Sequence, residues 1–142
     1  TMPQTSLSSA LFTLAQSYRV TVREAINANE LGLNALHVRC LHIIAETQHC
    51  TANEIVAKTG RDKAQIARLV KELIKLELVS KCADKNDKRC LILSFTEQGK
   101  TLFSRLQIAE KQVDSKLCEG LTETQITEFI STATTMINNI KN

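Results

Sequence analysis

Thr51-Ala52-Asn53-Glu54-Ile55-Val56-Ala57-Lys58-Thr59-Gly60-Arg61-Asp62-Lys63-Ala64-Gln65-Ile66-Ala67-Arg68-Leu69-Val70 is the stretch on which the fold turns. Thr51 and Glu54 stand three apart as a capping box, so a helix is expected to begin at Thr51. Ile55, Val56 and Thr59 give it a narrow inner face, and Gly60 is a natural stop. A second cap comes at Asp62, with Gln65 at the capping-box position. The next helix carries Ile66, Leu69, Val70, Leu73 and Leu76 at three- and four-residue spacing. Two short helices joined by a tight turn containing Gly make the helix-turn-helix pattern.

At about 100° per residue, the face opposite Ile66, Leu69 and Leu73 holds Ala64, Arg68, Lys71 and Lys75, with Ala67 beside them. Small residues ringed by cations let a backbone approach a groove while the charges meet phosphates. An ordinary solvated helix face can look the same, and the residues just downstream shift the balance. Val79 to Ala83 is expected to be a short strand, and Asp84-Lys85-Asn86-Asp87-Lys88-Arg89 a charged turn. Cys90 to Phe95 is expected to be a second strand, and Thr96 to cap a new helix. A hairpin directly after a recognition helix is a wing, and this one carries Lys85, Lys88 and Arg89 at its tip.

The run Asp87-x-Arg89-x-x-x-Leu93-Ser94-Phe95-Thr96-x-x-Gly99 resembles the wing signature of the MarR family of bacterial transcription regulators. There an Asp-x-Arg pair leads into a strand and a Leu-Thr-x-x-Gly helix start. Two positions depart from the pattern. Phe95 stands where Leu is usual, and Glu77 stands where Gly commonly ends the recognition helix, which predicts a turn of different shape. The resemblance extends over essentially the whole chain. It implies a mainly α protein with a small β-wing, a winged helix-turn-helix that dimerises through long N- and C-terminal helices. Residues 33–95 would be the DNA-binding unit, and residues 6–32 and 96–142 the dimerisation helices. The implied function is repression of transcription by a homodimer on pseudo-palindromic double-stranded DNA, released by a small aromatic or lipophilic effector. Arg61, Lys63, Arg68, Lys71, Lys85, Lys88 and Arg89 are the expected phosphate or groove contacts. Gln65 is the candidate for a base-edge contact, since its amide can pair bidentately with adenine, and Asp87 would orient Arg89 by a charge-assisted pair.

The rest of the chain fits that frame. At 142 residues it is one domain's worth of sequence. One Pro and four Gly favour long helices. Net charge is only +3, but residues 51–90 hold ten Lys/Arg against six Asp/Glu, so the positive excess lies in the helix-turn-helix and wing. A helix over residues 6–29 has Leu7, Leu11, Leu14, Tyr18, Val22 and Ile26 as its stripe. Asn34 caps a second helix rich in apolar residues. Beyond the wing, Leu102, Phe103, Leu106, Ala109, Val113 and Leu117 mark one long helix, and Ile126, Phe129, Ile130, Ala133, Ile137 and Ile140 mark another. In a lone monomer the first and last stripes would leave a large apolar patch, and a two-fold partner removes it. No apolar run approaches a membrane span. No basic segment followed by an apolar core marks a signal peptide, so a cytoplasmic chain is expected.

Other chemistries find less support. The five cysteines, Cys40, Cys50, Cys82, Cys90 and Cys118, form no C-x-x-C pair. Cys40 fits a small buried hydrophobe. Cys82 and Cys90 lie on paired wing strands, but that alone does not deliver disulfide geometry. Some MarR relatives sense peroxide through a first-helix cysteine, and none lies in residues 6–29 here. No metal and no cofactor is expected. His37, His42 and His49 have no nucleophile motif beside them, and Gly is too rare for a phosphate loop, so no enzyme is expected. His37 and Arg39 are candidates to border a ligand pocket between the terminal helices and the winged unit; the plainer reading of His37 is a capped, partly exposed surface histidine. Two alternatives remain open at this point. One is a thiol-redox or metal-responsive sensor on the same fold, which thiol counting and metal analysis would reveal. The other is a winged-helix protein-interaction module without DNA binding, which salt-titrated binding to duplex DNA would separate.

Overall fold

The computed structural model describes residues 6–141 and, within them, leaves the side chain of Asn29 out. Asn142, the last residue of the expected C-terminal segment, lies outside the described residues. The elements run α1 (Leu7–Ala25), α2 (Ala28–Leu31), α3 (Ala35–Glu46), α4 (Ala52–Thr59), α5 (Lys63–Lys75), β1 (Val79–Ala83), β2 (Leu91–Phe95), α6 (Glu97–Leu117) and α7 (Glu123–Lys141). The mainly helical class with a two-stranded wing is therefore what forms. One core cluster runs from Val22 and Ile26 through Ile43, Ile55, Ile66 and Leu73 to Leu102 and Leu106, so the long helices and the winged unit share it.

The first expected helix is two. It ends at Ala25, because Asn27 adopts a left-handed conformation (φ 56°) and α2 restarts at Ala28. Asn tolerates that conformation better than most residues. The break lets both Ile26 and Ala28 enter the core, fully buried. Asn34 caps α3 as expected, but its box partner is His37: each residue's side chain bonds the other's backbone N–H. Thr51 caps α4 by accepting from Glu54 N–H, and Gly60 closes it at φ 66°. Asp62 holds the cap position of α5, yet its side chain makes no cap hydrogen bond. Asp62 is exposed, and the first-turn N–H groups there are left to solvent. Ile66, Leu69, Val70 and Leu73 are buried as the stripe requires, whereas Leu76 is the C-cap and lies largely outside the core.

The wing is antiparallel, with Val79 opposite Phe95 and Cys82 opposite Ile92. Cys90 falls in the turn instead of on the strand, so it does not face Cys82. Leu93 N–H donates to Cys50 O at 2.8 Å, which ties β2 to the start of α4. Phe95 stacks on Phe103 with ring centroids 5.3 Å apart, so the larger ring is absorbed by α6.

Glu77 does not change the shape of its turn. Leu78 N–H donates to Leu73 O (3.0 Å) and Glu77 N–H to Ile74 O (2.9 Å), the bond pair of a Schellman motif. Glu77 takes the left-handed position itself, at φ 63°. A residue with a Cβ is strained there, by about 1–2 kcal/mol. Glu77→Gly is therefore expected to stabilise the protein by about 1 kcal/mol, a rise of about 3 °C in Tm. Thermal unfolding by circular dichroism checks it; a fall in Tm would mean that the Glu77 side chain contributes more than its backbone costs.

Candidate nucleic-acid interface

Helix α5 is held by its buried stripe and presents Lys63, Ala64, Ala67, Arg68 and Lys71 to solvent. Gln65 is half-buried, and no hydrogen bond ties its amide among the described residues, since the Asp62 box does not form. Arg61 is exposed in the turn between α4 and α5. At the wing tip Lys85, Lys88 and Arg89 are all exposed. Among the described residues, Arg61, Lys63, Arg68, Lys71, Lys85 and Lys88 make no salt bridge. Six like charges left without partners on one helix-turn-helix and its wing are a cost to a folded chain unless an anion meets them.

The wing tip is preorganised. Asn86 N–H donates to Asp84 Oδ1 (3.1 Å), and Arg89 N–H to Asp87 Oδ1 (3.1 Å), so two Asx turns set the loop. Arg89 Nε also donates to Asp87 Oδ1, at 3.3 Å, while its side chain stays 92% exposed. The backbone N–H of Arg89, and then its guanidinium, hold the Asp87 carboxyl below its ordinary range. Asp87 is thus ionised at neutral pH and loses its grip on Arg89 only as pH falls through that lowered value.

His37 and Arg39 have different fates. His37 is 3% exposed, not a surface histidine, and both ring nitrogens are engaged. Nδ1 accepts from Asn34 N–H (3.0 Å), which leaves the proton on Nε2, and that N–H donates to Glu72 Oε2 at 2.6 Å. The bond runs from the start of α3 to the recognition helix, 35 residues on. With both nitrogens used in this tie, His37 has none left for a ligand.

Arg39 lines a cavity of about 160 Å³ between α1, α3 and α6. Tyr18, Val22, Ala35 and Val38 form its apolar walls, with His42 and Glu110 on one side. His42 Nε2 lies 2.6 Å from Glu110 Oε1, and Tyr18 O–H donates to Asp114 Oδ1 at 2.9 Å. Burial, then the Asp114 bond, pushes the Tyr18 phenol well above its ordinary range, so it stays a neutral donor. Sequence reasoning missed Tyr18 and His42 as wall residues. Their stripe positions mark them as inward-facing, but which helices meet there is a tertiary fact.

Three of the five thiols, Cys40, Cys50 and Cys90, are set against reactivity. Burial pushes Cys40 up to about 11 and raises Cys50 as well. The charge of Asp87, whose Oδ2 lies 3.6 Å from Cys90 Sγ, raises the Cys90 thiol. Among the described residues no cluster of His, Cys, Asp and Glu could hold a metal ion. No helix among them is long and apolar enough to cross a membrane.

Fold and surface together define a winged helix-turn-helix protein. Residues 31–89 match the family model described as MarR family. The structure matches the crystal structure of MarR with a TM-score of 0.81 at 21% identity, over 99% of this chain and 94% of that one. It matches a putative MarR family transcriptional regulator from Listeria monocytogenes complexed with 26mer DNA (TM-score 0.81, 23% identity, 96% and 90% covered). It also matches CouR from Rhodococcus jostii RHA1 bound to p-coumaroyl-CoA (TM-score 0.77, 22% identity, 92% and 91% covered). No curated protein matches by sequence. The family model thus matches the winged unit, and the fold of nearly the whole chain is that of the MarR-type winged helix-turn-helix structures.

Proposed function

We propose that this protein is a transcription regulator of the MarR family, a repressor that binds pseudo-palindromic double-stranded DNA as a homodimer in the cytoplasm, and that a small aromatic or lipophilic effector in the Arg39 cavity releases it. The observation that carries the reading is the exposed cationic surface from Arg61 and Lys63 through Arg68 and Lys71 to Lys85, Lys88 and Arg89. In the dimer each protomer lays α5 in a major groove, where Gln65 has a free amide to meet a base edge, and extends its wing toward the adjacent minor groove. The Listeria relative with its 26mer DNA supports the DNA reading, and CouR with its ligand supports an effector. The chemistry is binding alone; no catalytic step is assigned.

The test is binding to a duplex selected from a random pool, titrated with salt. Affinity is expected to fall linearly in log–log form. Arg68→Ala and Lys71→Ala should each reduce the slope by about one per protomer. The wing gives a sharper expectation. Arg89→Ala should weaken binding about tenfold or more. Arg89→Lys should also weaken it, because a planar guanidinium loses less hydration on entering a narrow groove than an ammonium does. Asp87→Ala should act in the same direction less strongly, by releasing Arg89. Because the tip is exposed, Tm should stay within about 2 °C in all three. Binding by Arg89→Ala equal to the parent, or a loss that tracks unfolding, would remove the wing from the DNA surface.

A further inference from the structure

We propose that His37 is a positioning residue for DNA binding: its imidazole draws the Glu72 carboxylate to the α3 side of the recognition helix and so leaves Arg68 free for phosphate. This rests on the DNA reading of α5. Glu72 is the only acidic residue within that helix. Gln65, Arg68 and Glu72 follow one another at three- and four-residue spacing, so the acidic group stands beside residues expected to meet DNA. Three cations lie within one turn of it: Arg68 four residues before, Lys71 next in sequence and Lys75 three residues after. Arg68 and Lys75 are at the separations where opposite charges pair on a helix. Yet none of the three makes a salt bridge among the described residues. Glu72 Oε2 instead accepts from His37 Nε2–H at 2.6 Å.

The reason lies in what each partner loses without the bond. His37 is 3% exposed and its Nδ1 is committed to Asn34 N–H, so the Nε2 proton must find an acceptor within the fold. A buried donor left unsatisfied costs more than an exposed ion pair gains. The Glu72 side chain is 46% exposed, so it keeps much of its hydration while reaching over. The consequence falls on DNA. A carboxylate released from His37 swings back toward Arg68, where it competes with phosphate for the same guanidinium. His37 itself is buried near the start of α3 and acts only through Glu72. One bond thus fastens α5 to α3 and clears the cationic surface of the helix's own acidic group.

Binding of the full chain to the selected duplex, titrated with salt, tests the proposal. Glu72→Asp keeps the charge but falls one methylene short of His37, and the position is exposed, so the fold should persist. It is expected to weaken binding about fivefold and to reduce the salt slope, because the shortened carboxylate pairs with Arg68 in both half-sites. Glu72→Gln keeps an acceptor for His37 without the charge, and should bind no more weakly than the parent. In an Arg68→Ala background Glu72→Asp should cause no further loss, since its target is gone. A His37→Leu chain that folds should repeat the Glu72→Asp loss, and adding Glu72→Gln should restore it. A merely structural defect would not be repaired by removing a carboxylate. Parental affinity in Glu72→Asp, an equal loss in the Arg68→Ala background, or a His37→Leu loss that Glu72→Gln leaves in place overturns the proposal while the DNA reading stands. A parent chain without salt-dependent binding to the duplex overturns the DNA reading and this one with it.

Discussion

Gly99→Ala is expected to cost about 3 kcal/mol or more, lowering Tm by about 10 °C. Propensity argues the other way, since Ala in a helix is favoured over Gly by about 1 kcal/mol. Space decides the sign. A Cβ at Gly99 would stand 2.0 Å from Leu78 O and 2.9 Å from Leu78 C. Neither side can yield cheaply. Leu78 O already accepts from Thr96 N–H at 3.1 Å, and Leu78 N–H closes the Schellman turn on Leu73 O. Thr96 Oγ1 donates to Glu77 O while accepting from Gly99 N–H at 3.0 Å. The end of the recognition helix, the second wing strand and the start of α6 are thus clamped at one point. Gly99 is the residue without which the three backbones do not fit. A Tm at or above the parent's, measured by circular dichroism or calorimetry, would show that α6 can move aside. Gly99 makes no part of the cationic surface, so lost DNA binding in this variant should track lost folding.

That joint shows how far the sequence could be read. The Thr96-x-x-Gly99 spacing marked a helix start, and the cap hydrogen bond from Gly99 N–H to Thr96 is there. What the Gly is for was not legible, because the clashing atom is a carbonyl 21 positions earlier. The same division holds elsewhere. Helix α5 and the wing strands carry their own periodicity and turn residues, and their burial follows it. The break at Asn27 has no Gly or Pro to announce it, and only burial of Ile26 and Ala28 explains it. His37 sits at the box position after Asn34, a local signal that could have been used, but its burial against Glu72 is a contact between distant segments. The wing clamp is local to residues 84–90 and could be anticipated from them. The cavity is made where α1 meets α3, and no single stretch encodes it.

Ile130→Glu with Ile137→Glu is expected to turn a dimer into a folded monomer and to weaken operator binding about a hundredfold or more. Helix α7 has no buried residue in the protomer, and Phe129, Ile130, Ile137 and Ile140 are all more than half exposed. The upper half of the α1 stripe is bare as well. Leu7, Leu11 and Phe12 are exposed, whereas Val22 and Ile26 lower down are buried. Tyr18 of α1 meets Asp114 near the end of α6, so the bare part of α1 lies at the same end as Leu117 and Leu121, which are also exposed. An apolar surface of this extent is not left to water by a stable monomer. A 19-residue helix with no packed face is also marginal by itself. A second copy using the same helices satisfies both through a self-complementary two-fold interface. Two carboxylates seven residues apart on that face would have to be buried without partners, which the interface cannot bear. The protomer core contains neither residue, so the helix-turn-helix and wing should keep their fold. DNA affinity then falls because each half-site must be held by one winged unit alone, without the effective concentration that the second supplies. The salt slope should fall to about half that of the parent, since half the phosphate contacts remain. Sedimentation velocity gives the mass, circular dichroism the fold, and binding to the selected duplex the affinity. A double variant that still sediments as a dimer and binds the duplex like the parent would place the interface on another face.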